Sequence, residues 1–213
     1  MSLNEQTELA QRKKAKKMLL WFSMISLAMS FAGLTSAYVV SKERADWLEN
    51  LVLPSAFGWS LIAILLSSLT FEWAKRVLSK EQQSQATVLL WATWILGIGF
   101  ITLQYSGFSE IYNDFGYAFT GPTSSIAYTF IFLIVVLHVF HVLAALIALS
   151  VVIYNHYKQR YILGKTLGVE LAVLFWHFVD GLWLYLFLFF YWEKNMIILK
   201  TPYIDLKSFI SNF

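Results

Sequence analysis

Five long apolar runs, each about the length of a bilayer crossing, constrain this chain more than any other feature. They lie at residues 18–40, 54–73, 86–105, 125–154 and 167–192. A hydrocarbon core about 30 Å thick needs roughly 20 apolar residues when crossed as an α-helix. The helix is favoured because it satisfies every backbone N–H and C=O within the segment. Strands of a membrane barrel are about ten residues long and alternate in character, and these runs do neither. Only 14% of the 213 residues are charged, against about a quarter in soluble domains, so a water-coated globule is excluded. The expected fold is all-α: a polytopic bundle of five transmembrane helices forming one membrane domain. The fourth and fifth runs exceed the minimum and predict tilt or extension beyond the bilayer.

Charge placement sets the expected orientation. Arg12, Lys13, Lys14, Lys16 and Lys17 precede the first run, Lys75, Arg76 and Lys80 follow the second, and Lys158, Arg160 and Lys165 follow the fourth. They outnumber Lys42, Arg44, Lys194, Lys200 and Lys207 on the other side by about two to one. The bias predicts a cytoplasmic N-terminus and a periplasmic C-terminus, in agreement with an odd number of spans. Residues 1–17 read as a basic cytoplasmic segment, a candidate short amphipathic entry helix along the surface. Residues 193–213 read as a periplasmic tail. The first run is too long for a secretory h-region and lacks a cleavage context, so it reads as a span. The pI near 9.0 does not point to nucleic acid, because the basic residues are confined to segments between apolar runs. The absence of cysteine removes disulfides and thiolate metal sites together.

Ionisable groups inside apolar runs are costly and face other protein or a cavity. His138 and His141 stand three apart in the fourth run, and His177 and Asp180 stand three apart in the fifth. Glu170 precedes His177 by two helical turns, which predicts a Glu170–His177–Asp180 stripe on one face. Two histidines at this spacing on one helix cannot reach around one haem, and no Glu-x-x-His pair suggests a two-metal site. The expectation is therefore no cofactor or metal in this chain. Two readings of His177 and Asp180 stand side by side. One is a hydrogen-bonded pair that fixes helix packing. The other is a proton relay, which as part of a small proton-coupled transporter would use the whole stripe.

One block is far more specific than composition. Phe175-Trp176-His177-Phe178-Val179-Asp180-Gly181-Leu182-Trp183-Leu184-Tyr185, ending in Phe190-Tyr191-Trp192, closely resembles the last helix of the cytochrome c oxidase subunit III family. Glu170 matches that family's glutamate seven positions before the histidine. His138-Val139-Phe140-His141-Val142 is similar to its His-Gly-Leu-His-Val, with Val139 in place of glycine. Leu103-Gln104, Leu66-Ser67-Ser68-Leu69-Thr70 and Met29-Ser30-Phe31-Ala32-Gly33-Leu34 also resemble family segments, so the likeness runs over residues 18–192. Two positions depart from it. Gly107 and Leu27 stand where the family usually carries glutamates associated with a lipid-lined cleft and with proton uptake.

The resemblance implies the short five-helix bacterial form and a non-catalytic subunit of a haem–copper terminal oxidase in aerobic electron transport. It implies haem and copper in partner subunits, contact with the catalytic subunit I and other oxidase subunits, bound phospholipid, and membership of a respiratory supercomplex. The implied location is the bacterial inner membrane. His138, His141, Glu170, Trp176, His177, Asp180 and Trp183 are the expected buried polar, lipid-cleft or packing residues. A subunit III-like protein of nitric oxide reductase has the same short form and is the nearest alternative, favoured by the missing carboxylates.

Overall fold

Apolar runs of this length fold as helices because a backbone in lipid has no water to bond. The computed structural model describes residues 3–210 except 45–46, 48–51, 81, 115, 117, 120–123, 160 and 162–166, and omits side chains at 3–6, 9 and 197–210. It contains α1 (Leu3–Ser41), α2 (Ser55–Ser79), α3 (Gln83–Asn113), α4 (Ile126–Tyr157) and α5 (Leu167–Ile210). Each helix contains a stretch long and apolar enough to cross a membrane. No strand occurs among the described residues; Ala118 and Ser124 make one isolated bridge.

Helix ends follow local chemistry more than hydropathy. α1 runs unbroken from the basic segment into the first apolar run, because no glycine or proline occurs between Leu3 and Ala32. The separate surface helix expected at residues 1–17 is thus the first four turns of α1 in the described part. α3 continues eight residues past the apolar run and stops at Asp114, whose N–H bonds the Glu110 carbonyl, ahead of Gly116 at φ +70°. α4 closes through Gln159, which takes the left-handed conformation at φ 52° and bonds the His156 carbonyl. α5 continues as helix to Ile210, so the expected tail begins as a prolongation of the last span. Arg160 and Lys165, used in the charge count, lie outside the described residues, as do the side chains of Lys200 and Lys207.

α2 and α3 follow one another closely in the chain and share the most extensive helix–helix contact of the bundle. α2, α3, α4 and α5 each pack on the next, and α5 returns to α2, closing a four-helix ring. α1 stands outside it, packed on α4 and α5 and, among the described residues, not on α2 or α3. Two salt bridges fasten α1 to α5: Lys17 to Glu170 at 2.8 Å near one end, and Lys42 to Glu193 near the other. Between them the Thr35 and Tyr185 hydroxyls lie 2.9 Å apart.

Close approach inside the ring depends on two glycines of α3. A Cβ on Gly97 would sit 2.9 Å from both Leu146 of α4 and the Trp176 ring of α5, and one on Gly107 would sit 2.5 Å from the Phe57 ring of α2. Small residues at such crossings let membrane helices pack without clash. Gly99, two residues after Gly97, has no such neighbour.

Candidate functional site

Trp183 stands at the centre of the ring. From α5 its indole meets Phe57 of α2 at 5.9 Å, Phe100 of α3 at 5.3 Å and, stacked, His138 of α4 at 5.2 Å. One side chain therefore touches all three other members of the ring. Edge-to-face and offset-stacked rings at these distances add roughly 0.5–1.5 kcal/mol each beyond burial. His138 is fully buried, with neither ring nitrogen hydrogen-bonded to protein, and Phe31 of α1 and Phe100 close its remaining sides. His141 points differently: its Nδ1 lies 2.7 Å from the Leu137 carbonyl one turn earlier, and Phe31 packs on its edge. The two histidines of α4 thus sit against the same phenylalanine of α1 but share no ligand geometry.

Trp176 forms a second layer, two helical turns from Trp183 on the same face of α5. Its ring packs edge-on against Phe71 at 5.8 Å, and its Nε1–H donates to the Ser67 hydroxyl at 3.0 Å. Ser67 passes its own proton to the Ile64 carbonyl at 2.7 Å, so every polar atom of this contact is matched. The neighbouring α2–α3 seam also holds side-chain hydrogen bonds between helices, though Gln104 Oε1 stays without a protein partner. Gln104 donates to Ser60 at 2.8 Å, and the Thr70 and Thr93 hydroxyls lie 2.9 Å apart.

The polar group next to these layers spans α2 and α5. The Ser68 hydroxyl donates to Asp180 Oδ2 at 2.5 Å and lies 2.8 Å from His177 Nδ1. A hydroxyl has one proton, so with that proton on Asp180 the Ser68 oxygen accepts from His177, which fixes hydrogen on Nδ1. His177 Nε2 then faces Glu72 Oε2 at 3.6 Å. Glu72 is surrounded by Lys75 at 3.2 Å and Arg76 at 3.4 Å on its own helix. The order is Arg76 and Lys75, Glu72, His177, Ser68, Asp180, running from the end of α2 toward the middle of the bundle.

The structure splits the expected Glu170–His177–Asp180 stripe. His177 and Asp180 join through Ser68, whereas Glu170 turns to Lys17 of α1. Periodicity along one helix carries no information about which neighbour each of the three would meet. Glu72 and the Ser68 bond were missed. A signal existed: Glu72 is an acid inside the second apolar run, four residues after Ser68 and so on the same face.

Comparison with known proteins fits this arrangement of helices α2–α5 and the aromatic block of α5. Residues 53–195 match the family model described as cytochrome c oxidase subunit III. Among similar curated sequences is cytochrome c oxidase subunit 3 of Spodoptera frugiperda, 32% identical over 134 residues, covering 63% of this chain and 86% of that one. The subunit 3 of Drosophila melanogaster is 36% identical over 131 residues, covering 61% of this chain and 47% of that one. That of Anopheles gambiae is 34% identical over 131 residues, with the same coverages. The match therefore spans about half the length of the fruit-fly and mosquito proteins. A family match over more than half of the residues, including four of the five helices, settles the grouping: the chain belongs to the cytochrome c oxidase subunit III family.

Proposed function

We propose that this chain is a non-catalytic subunit of a haem–copper terminal oxidase, holding and shielding the catalytic subunit in a bacterial plasma membrane. The family match over residues 53–195 carries the reading. The side chains support it: the aromatic layers of Trp176 and Trp183 and the Ser68–His177–Asp180 bonds are spent joining helices to one another. Haem and copper belong, in this reading, to the partner subunits, and bound phospholipid covers the exposed apolar faces. The bacterial setting rests on the resemblance to the five-helix form, and the cytoplasmic N-terminus on the basic bias at one end of the bundle. Joining a larger respiratory assembly is part of the same proposal.

The polar group of α2 and α5 acts in this reading as a helix clasp. The transporter reading loses its basis, because Glu170 is engaged elsewhere. The nitric oxide reductase reading keeps one observation in its favour: glycine, not an acid, stands at position 107 of α3. A tagged purification from native membranes in mild detergent, followed by a reduced-minus-oxidised spectrum and gas-uptake assays, tests the proposal. Co-purified haem with oxygen consumption is the expected outcome. Haem that reduces nitric oxide instead moves the chain to the second reading, and a colourless solitary protein overturns both.

A further inference from the structure

The α3–α4 seam opens, toward the Asn113 end of α3, into a cavity of about 670 Å³. Its walls come from residues 101–113 of α3, residues 132–143 of α4 and Phe119, and among the described residues none comes from α1. Cavities of this size commonly hold a small organic ligand. Six of the thirteen lining side chains are aromatic, and none is a lysine, arginine, histidine or carboxylate. The cavity therefore suits a neutral ring compound and offers no counter-charge to a phosphate.

One wall carries a polar group that the chain itself leaves half satisfied. Gln104 lines the cavity and is 1% exposed. Ser60 gives its only proton to the Phe57 carbonyl at 2.7 Å, so its oxygen accepts from Gln104 Nε2 at 2.8 Å. These two bonds fix the amide, with nitrogen toward Ser60 and oxygen away from it. Gln104 Oε1 is then buried without a protein donor. Buried acceptors in this condition are rare, and each calls for a partner.

The chemistry of that partner is narrow. A phospholipid chain brings only methylenes, and the donors of a phospholipid headgroup come attached to a phosphate, for which the cavity has no cation. A phenolic hydroxyl meets both conditions. It is a neutral donor, and its ring lies among Phe108, Phe119 and Phe132, whose own rings meet at 4.9–5.4 Å. Tyr105, Phe140 and Leu143 line the cavity and are also exposed on the outside of the bundle. A long apolar tail can leave by that side into the bilayer.

We propose that the α3–α4 cavity binds a prenylated hydroquinone, with one phenolic O–H donating to Gln104 Oε1 and the tail leaving past Phe140. The corresponding quinone presents only carbonyl acceptors and meets Gln104 oxygen against oxygen. The site thus tells the reduced form from the oxidised one by the direction of a single hydrogen bond. The inference goes beyond the oxidase-subunit reading and does not depend on it, since every contact comes from this chain.

The tagged chain is purified from native membranes in mild detergent, with whatever it carries, and photolabelled under argon with a short-tailed hydroquinone bearing a diazirine. Adducts are mapped by peptide mass, so a hydroquinone site on a co-purifying protein is read separately. Labels are expected within residues 101–113 and 132–143. Unlabelled hydroquinone should displace the probe at about tenfold lower concentration than its dimethyl ether or the quinone. Gln104→Leu is expected to abolish that preference. Val139→Phe, which narrows the cavity without touching the Gln104–Ser60 bond, should remove the labels, whereas Ile147→Phe on the exposed side of α4 keeps them. Equal competition by hydroquinone and its dimethyl ether, a preference that survives Gln104→Leu, full labelling of Val139→Phe, or displacement by phosphatidylglycerol as readily as by hydroquinone would each overturn the assignment. A purified chain free of haem that still labels would sink the oxidase reading alone.

Discussion

The Phe57 ring of α2 lies across Gly107 of α3 so closely that a Cβ at position 107 would come within 2.5 Å of it. This contact gives a physical reason for the missing acid at Gly107. The space that a glutamate would enter is filled by an aromatic ring, itself packed edge-on against Phe108 and Trp183. Gly107→Ala should therefore cost about 1–3 kcal/mol by overpacking. Gly107→Ala combined with Phe57→Leu should recover part of that loss. Unfolding midpoints in detergent check both, and additive losses in the double variant would show that the two positions do not share the clash.

Asp180 tests the clasp. Asp180→Ala removes the acceptor of Ser68 and should lower the yield of assembled complex, with turnover per remaining haem near normal. The scale is set by intramembrane hydrogen bonds, which average about 0.6 kcal/mol, so the loss is modest. Normal yield with a collapsed proton-to-electron ratio would return the group to the proton-relay reading.

His138 offers a contrasting case. Both its ring nitrogens are buried without a protein partner, among Phe31, Phe100 and Trp183. Replacing a buried unsatisfied polar group by an apolar one of similar shape is neutral or stabilising. His138→Phe should hold or raise the thermal midpoint and leave haem content of the complex unchanged. A drop in haem content would mean that the imidazole does more than pack.

The two ion pairs of α1 should differ in weight. Lys17 and Glu170 have side chains 50% and 38% exposed, and a surface pair contributes about 0–1 kcal/mol. Glu193, at 9% exposed, is nearly buried, and removing its partner leaves a charge in a poor solvent. Lys42→Gln should loosen α1 far more than Lys17→Gln, seen as faster hydrogen exchange in residues 30–41. Equal exchange in the two variants would contradict this ranking.

Hydropathy found the five spans because the bilayer reads apolar length directly. It missed where helices stop, since Ser106, Ser109 and Glu110 continue the hydrogen-bond ladder of α3 whether or not lipid surrounds them. The block from Trp176 to Trp183 was legible for a similar reason: seven-residue spacing puts both indoles on one face. What no pattern along one helix gives is the identity of the neighbour. Asp180 meets α2, not Glu170, because α5 borders three helices and only packing decides among them. Glu72 stands one residue from the end of the second apolar run, with Lys75 and Arg76 three and four residues on, so it reads as the edge of a charged segment and not as part of a helix contact.

The position of α1 bears on how the chain is made. It is the first of these helices to leave the ribosome, but the surfaces that receive it belong to α4 and α5. At about 5–20 residues per second, the interval between finishing α1 at Ser41 and finishing α4 at Tyr157 is on the order of ten seconds. Throughout that time α1 lacks the helices of its own chain that receive it, and Lys42 lacks Glu193 of α5. Translation of the final span is therefore the event that closes the molecule, so a truncated product would carry an undocked first helix that membrane quality control could recognise.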